Sequence, residues 1–174
     1  RHAGRGPRYT SYPPATAWTS DVTAADLRQA LTSVADSAGD RALSVYVHLP
    51  FCPSMCWFCA CNMLVTPRLD LADRYLDRVE VELSLVAPSL PTELPVVQLH
   101  WGGGSPSYLT PPQMRRLKTL LDRHFCWAPE AELALEVDPR ITSAEHVACL
   151  RELGFNRLSM GVQDFDDGVQ RAIN

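Results

Sequence analysis

A chain of 174 residues, 46% hydrophobic and 21% charged, is long enough for one globular domain and has the composition of an ordinary soluble protein. Its formal net charge of −4 argues against the basic surface with which proteins bind nucleic acid or anionic lipid. No apolar run approaches the roughly 20 residues that a membrane-spanning helix needs, so we expect neither a nucleic-acid partner nor a membrane partner.

The two ends of the chain predict that it is a fragment of a longer protein. It opens "RHAGRGPRYT", without a methionine or the apolar segment of a signal peptide. It closes "DFDDGVQRAIN", which has the pattern of a helix interrupted in its first turns. We expect residues 1–41 to form an N-terminal arm with a lead-in helix, and residues 42–174 to begin a larger domain.

Strand and helix patterns alternate from residue 42 onwards. Four apolar, β-branched runs predict strands, and three amphipathic segments predict helices between them. The predicted strands are 42–51, 96–104, 132–139 and 157–164, and the predicted helices are 71–87, 110–125 and 142–154. Four βα units in succession predict an α/β fold with a parallel sheet or barrel and its helices outside. The apolar content of the first two strands predicts that both of their faces are buried.

Capping signals predict where two of the helices begin. Thr110 has the residue type of an N-cap, Pro111 suits the first helical position, and Gln113 completes a capping box. Thr142 and Glu145 have the spacing of a second capping box.

The six cysteines divide into two isolated residues and one cluster. Cys126 and Cys149 stand alone, and because free cysteine is among the most buried residue types, we interpret both as structural. The other four lie in "FCPSMCWFCACN" and are Cys52, Cys56, Cys59 and Cys61. Secreted disulfide frameworks usually spread their cysteines through a small, loop-rich chain. Clustering in one loop therefore favours a metal site in a reducing compartment.

The spacing C-x-x-x-C-x-x-C leaves two kinds of metal site open. Zinc usually takes two pairs of Cys or His ligands from separate loops. No second pair follows here, and His48 and His100 each lie within a strand-like run. Three thiolates can instead hold one corner of a 4Fe–4S cluster and leave the fourth iron open for a bound molecule. We favour the iron–sulfur cluster, and a structural zinc module without catalysis remains the alternative.

Unusual residues follow all four predicted strands. The cysteine loop follows the first strand, "GGGSP" at 102–106 follows the second, Glu136 lies in "EVDP" at the end of the third, and Gln163 follows the fourth. Each has an ordinary interpretation, as a flexible glycine turn or a solvent-facing polar residue. However, the carboxyl ends of parallel strands share one edge, where the sites of α/β folds gather. Their convergence predicts a functional site at that edge.

These motifs resemble the radical SAM superfamily, and within it the oxygen-independent coproporphyrinogen III oxidase family. The resemblance is carried by "PRYTSYP", "YVHLPFCPSMCWFCACN", "LHWGGGSP", "EVDPR" and "GFNRLSMGVQDF" and covers nearly the whole chain. It implies that residues 42–174 form part of an incomplete (β/α)6 barrel, whose remaining strands and C-terminal domain lie outside this chain. It also implies an oxidoreductase of haem biosynthesis, which converts coproporphyrinogen III to protoporphyrinogen IX by means of a 5′-deoxyadenosyl radical.

The resemblance assigns roles to individual residues. Cys52, Cys56 and Cys59 would ligate a 4Fe–4S cluster, whose open iron would bind one S-adenosylmethionine, with a second S-adenosylmethionine nearby. The positions that match cofactor contacts in the family are Tyr46, Phe58, Gly103, Gly104, Ser105, Glu136 and Gln163. Tyr46 would lie at the cluster and the first S-adenosylmethionine, and Cys61 would be needed for activity without ligating the cluster.

Two positions depart from the family pattern. Ser105 stands where the family usually has threonine, which keeps the hydroxyl, and Ala60 stands where it has glycine, which narrows the backbone freedom inside C-x-C. Neither departure removes a group that the implied chemistry needs.

The resemblance also implies the partners and location of the protein, and it leaves alternative functions open. It implies a flavodoxin-type electron donor, a monomer and a cytoplasmic location. The alternatives on the same barrel are a haem chaperone and a haem-degrading relative. The chaperone typically has another residue at the position of Cys61 and lacks "PRYTSYP". Because a barrel opened after its fourth unit exposes a strand edge, we expect residues 1–174 alone to be poorly soluble and inactive.

Overall fold

The computed structural model describes residues 17–35, 41–57, 59, 61–91 and 93–173. Its strands are β1 (Leu43–Leu49), β2 (Phe51–Cys52), β3 (Leu64–Val65), β4 (Pro95–Gly103), β5 (Cys126–Val137) and β6 (Arg157–Met160). Its helices are α1 (Ala24–Ala35), α2 (Asp70–Val86), α3 (Pro111–Asp122), α4 (Ala144–Glu152) and α5 (Asp167–Ile173). The predicted lead-in helix is α1, whereas residues 1–16 of the predicted arm lie outside the described residues. None of the helices in the described ranges is long and apolar enough to cross a membrane.

Four parallel strands form the main sheet, in the order β1-β4-β5-β6. Each strand pairs with the strand of the next βα unit, as the repeated pattern along the chain predicts. Tyr46 lies opposite His100, and Glu136 lies opposite Ser159. The predicted α/β fold, a partial barrel of about four βα units, is confirmed.

The two faces of the sheet differ in polarity. One face packs against the helices and carries the fully buried Leu49, Leu99, Trp101 and Leu135. The opposite face carries polar side chains, and Tyr46 on β1 remains 57% exposed. The prediction that β1 and β4 are buried on both faces is therefore wrong. Side chains alternate along a strand, and only one face of these strands meets the helical layer.

The helices bury the predicted apolar faces, but one predicted cap is wrong. In α3, the side-chain oxygen of Gln113 accepts a hydrogen bond from the Thr110 backbone N–H at 3.0 Å, so the first capping box is confirmed. The N-cap of α4 is Ser143, and its capping-box partner is His146. The predicted capping box of Thr142 and Glu145 is therefore wrong. The Thr142 hydroxyl instead donates to the Asp138 carbonyl at 2.7 Å, which holds it in the preceding turn.

The two isolated cysteines differ in burial. Cys149 on α4 is buried, as predicted, and its thiol contacts the carbonyl of Pro111. Cys126 is exposed, so its interpretation as a buried thiol is wrong. It is the first residue of β5, paired with Pro95 at the end of the sheet where the strands begin. That position is remote from the helical layer over the middle of the sheet.

We expect residues 1–174, expressed alone, to be poorly soluble or to lack cooperative tertiary packing. No described residue pairs with the outer edge of β6, and Leu158 and Met160 on that strand are 50% and 56% exposed. An unpaired parallel edge with apolar side chains is a template for aggregation. Thermal unfolding followed by near-UV circular dichroism checks this. One sharp transition in a soluble monomer would show that four units close their own core.

Candidate functional site

Two short paired strands lie at the two ends of the cysteine loop. Strands β2 and β3 pair in parallel, a feature that the sequence did not predict. The Leu64 N–H donates to the Pro50 carbonyl at 2.6 Å, and the Thr66 N–H donates to the Cys52 carbonyl at 3.0 Å. The two ends of the loop are therefore held side by side just beyond the end of β1.

The four thiols of this loop differ in exposure. Cys52, Cys56 and Cys59 are partly buried, whereas Cys61 is exposed and its backbone N–H lies 3.4 Å from the Cys59 sulfur. Burial, followed by the charges of Cys59, Asp138 and Cys61, raises the pKa of Cys52 to about 11. These groups favour a neutral Cys52 as long as no cation is bound.

The donor set fits an iron–sulfur cluster by its chemistry. Three partly buried thiols in one loop are soft ligands, which favour iron–sulfur clusters or zinc over hard cations. Among the described residues, no three Cys, His, Asp or Glu side chains already converge at metal-ligand distance. A bound metal would displace the thiol protons and draw the side chains inward.

A hydrogen-bonded chain connects β1 to the far end of the cysteine loop. One ring nitrogen of His48, Nε2, lies 2.9 Å from the Asn62 carbonyl, and the other, Nδ1, lies 3.0 Å from the Tyr46 hydroxyl. Because a carbonyl oxygen only accepts, Nε2 carries the proton, and the Tyr46 hydroxyl donates to Nδ1. The Tyr46 ring stacks on His100 with centroids 5.9 Å apart. The sequence indicated Tyr46 as a site residue, but gave His48 no role beyond that of a possible zinc ligand.

The glycine loop packs against the start of the cysteine loop. Gly103 has a φ of +117°, and a Cβ there would lie 2.7 Å from the His48 ring. A Cβ on Gly104 would lie 2.8 Å from the Phe51 carbonyl oxygen. The next residue, Ser105, is buried and its N–H donates to that same carbonyl at 2.8 Å. Two of the glycines are therefore required by close approach of the backbone, whatever they contact in a ligand.

Glu136 connects the ends of β4 and β5. Its Oε2 accepts a hydrogen bond from the Gly103 N–H at 3.2 Å, and its Oε1 lies 3.3 Å from Nε2 of His100. Its side chain is 45% exposed. The carboxylate thus lies at the cavity edge with accepting capacity left for a ligand amine or hydroxyl.

A cavity of about 1030 Å³ lies between the cysteine loop, the carboxyl ends of the strands and residues 159–173. The sequence-predicted residues that line it are Cys56, Cys61, Gly103, Gly104, Ser105, Glu136 and Gln163. Cys52 and Cys59 in the cysteine loop and Tyr46 on β1 do not form part of the cavity wall. Phe58 and Ala60 lie outside the described residues. The four segments that follow the predicted strands thus all contribute residues to one cavity.

Two charged residues of the cavity wall were not predicted as site residues from the sequence. Asp138 and Arg140 line the cavity and form an ion pair with several hydrogen bonds, the shortest 2.8 Å. Both lie in "EVDPR", just past the end of β5. The sequence did contain a signal for this pair, because an acidic and a basic residue stand two positions apart at the predicted edge of the sheet.

Comparisons with known proteins agree on one family. The family model described as "Radical SAM superfamily" matches residues 46–174. Proteins named oxygen-independent coproporphyrinogen III oxidase are 48% identical in Salmonella typhimurium, 47% in Escherichia coli and 42% in Synechocystis, each over 97% of this chain. A solved structure of coproporphyrinogen III oxidase from Escherichia coli, described as a radical SAM enzyme, has a TM-score of 0.87 and 46% identity over 95% of this chain.

The matches cover only part of each relative. This chain spans 36% of the length of those three relatives and 37% of the chain in the solved structure.

Proposed function

The chain belongs to the radical SAM superfamily, and on this premise we propose that it is the cofactor-binding part of an oxygen-independent coproporphyrinogen III oxidase. The observation that carries the proposal is the meeting of the cysteine loop, the glycine loop and Glu136 at one cavity of about 1030 Å³. Identity of 47–48% to enzymes of that name supports it. The substrate would be coproporphyrinogen III and the product protoporphyrinogen IX, formed by two oxidative decarboxylations.

The superfamily uses a 4Fe–4S cluster and S-adenosylmethionine. We propose that Cys52, Cys56 and Cys59 hold the cluster, and that two molecules of S-adenosylmethionine bind in the cavity. When bound, these groups supply a carbon radical able to remove a hydrogen atom from an unactivated carbon. Tyr46, Phe58 and Gln163 would complete the cofactor contacts.

The residues of this chain position and shield the reacting groups. The connection from Tyr46 through His48 to Asn62 fixes the cysteine loop against β1. The glycine loop brings bare backbone close to a ligand, and Glu136 offers a carboxylate to an amine or hydroxyl beside it. Ser105, itself buried, forms part of the cavity wall beside the glycine loop.

The cysteines and the cluster also indicate the compartment and the electron donor of the enzyme. Four of the six cysteines cluster in one loop, a pattern that favours a metal site over a disulfide framework and supports a reducing compartment such as the cytoplasm. A cluster of low potential needs an external one-electron donor, and we propose a flavodoxin-type protein acting on a monomeric enzyme.

Anaerobic assay of the protein expressed from its full reading frame tests the function. Coproporphyrinogen III, S-adenosylmethionine and a reductant should give protoporphyrinogen IX with release of carbon dioxide. Zinc without acid-labile sulfide would identify a structural zinc module instead. Bound haem without decarboxylation would identify the haem chaperone, and loss of added haem would identify a haem-degrading enzyme.

Replacing Cys61 with serine should keep the cluster and reduce turnover by about a hundredfold or more. Cys61 is exposed and lines the cavity, but it is surplus to ligation by three cysteines. We propose that Cys61 transfers a proton during the reaction, and losing a group with that role typically costs at least this factor. Iron content and product formation are measured on the same sample, with Cys126→Ser, an exposed thiol outside the cavity, as the control. Iron loss in Cys61→Ser would make Cys61 a ligand.

A further inference from the structure

Asp138 and Arg140 form a fixed ion pair in the cavity wall. The Arg140 Nε donates to the two carboxylate oxygens of Asp138 at 3.0 and 3.3 Å, and a terminal nitrogen donates at 2.8 Å. Burial alone raises the pKa of Asp138, but the hydrogen bonds from Arg140 outweigh it and hold that pKa below its ordinary value. The pair is therefore charged at neutral pH. The Asp138 side chain is only 14% exposed.

The pair is attached to the base of the cysteine loop. The Asp138 backbone N–H donates to the Ser107 hydroxyl at 3.0 Å, and Ser107 lies in the short turn that follows Ser105. The Ser105 N–H donates to the Phe51 carbonyl, immediately before Cys52. These two hydrogen bonds fix the distance between the end of β5 and the first cysteine.

The pair lines the same cavity as a predicted cluster ligand. Asp138, Arg140 and Cys56 all contribute to the cavity wall. One cavity thus holds a carboxylate, a guanidinium and a predicted ligand of the cluster.

We propose that Asp138 and Arg140 are positioning residues that set the reduction potential of the cluster through opposing charges, an inference that rests on the proposed function. One electron from an external one-electron donor adds one negative charge to the cluster. A nearby cation stabilises the reduced cluster and raises its potential, whereas a nearby anion lowers it. The ion pair keeps both charges at fixed places, so that removing either charge alone shifts the potential.

A purely structural role makes a different prediction. Asp138 also accepts a hydrogen bond from the Arg140 backbone N–H at 3.0 Å, which by itself would serve to shape the turn after β5. Loss of such a turn would lower stability or cluster content in both variants. It would not move the reduction potential in opposite directions.

Redox titration of the protein from its full reading frame, followed by the electron paramagnetic resonance signal of the reduced cluster, tests the proposal. After anaerobic reconstitution, Arg140→Gln should weaken one-electron reduction about tenfold, a lowering of about 59 mV. Asp138→Asn should shift the potential upward by a similar amount. The double variant and Arg140→Lys should stay near the parent protein, because each preserves the sum of the charges.

The matched control is Arg115→Gln, which removes an arginine from a similar pair with Glu152 on the outer helices. Its potential should equal that of the parent. Unchanged potentials in loaded Arg140→Gln and Asp138→Asn, or shifts in the same direction, would overturn the proposal. If Asp138→Asn does not take up a cluster, the two Arg140 variants are sufficient as a test. Equal reduction potentials for Arg140→Gln and Arg140→Lys would then overturn the proposal. A parent protein that binds no iron and sulfide overturns the proposed function as well.

Discussion

Replacing Cys56 with alanine is expected to abolish cluster assembly and all turnover. Cys56 is the middle residue of the C-x-x-x-C-x-x-C spacing and lines the cavity, and its carbonyl accepts the Cys59 N–H at 3.0 Å in the turn of the loop. Two remaining thiolates cannot hold three irons of a cubane. Anaerobic reconstitution of the protein from its full reading frame should give about four iron and four sulfide per chain in the parent. The Cys56→Ala variant should give close to none.

The control for this loss is Cys126→Ala. Cys126 is an exposed thiol, but it lies at the start of β5, at the opposite end of the sheet from the cavity. Its iron and sulfide content should match the parent. A full cluster in Cys56→Ala would remove Cys56 from the ligand set and would leave the choice of the three ligands open.

Replacing Gly103 with alanine is expected to lower the free energy of unfolding by about 3 kcal/mol or more. The φ of +117° is strained for any residue with a Cβ, and that Cβ would lie 2.7 Å from the His48 ring. The ring would have to move, which breaks its hydrogen bonds to Tyr46 and Asn62. Urea unfolding of the apoprotein expressed from its full reading frame measures the loss of stability, and reconstitution measures the expected loss of cluster.

Two comparisons separate the clash from the backbone strain. Gly154→Ala has a φ of +86° with no atom closer than 3.9 Å to the added Cβ, so it should cost only about 1–2 kcal/mol. In a His48→Ala background, Gly103→Ala should cost less than in the parent, because the ring is gone. Equal costs in both backgrounds would show that the contact with His48 is not what requires glycine.

Much of the fold and the location of the site follow from the sequence. Period-2 and period-3.6 patterns identify four strands and the helices between them, because a strand or helix must place its apolar side chains on the face that packs. The order of these elements then requires a parallel sheet and puts the cysteine loop, the glycine loop, Glu136 and Gln163 at one edge. The resemblance to the radical SAM superfamily is confirmed by the match over residues 46–174. The roles given to individual site residues stay predictions.

Only the tertiary structure decided how those segments touch. The pairing of β2 with β3, the exposure of Tyr46 and Cys126, and the choice of Ser143 over Thr142 as a cap all depend on neighbours distant in the chain or on a competing hydrogen bond. The same is true of Gly103, which three consecutive glycines mark only as a turn. Its requirement comes from the His48 ring on a neighbouring strand. Local patterns record which face of an element is apolar, whereas contacts between elements arise when the chain brings strands of different units within a few ångströms.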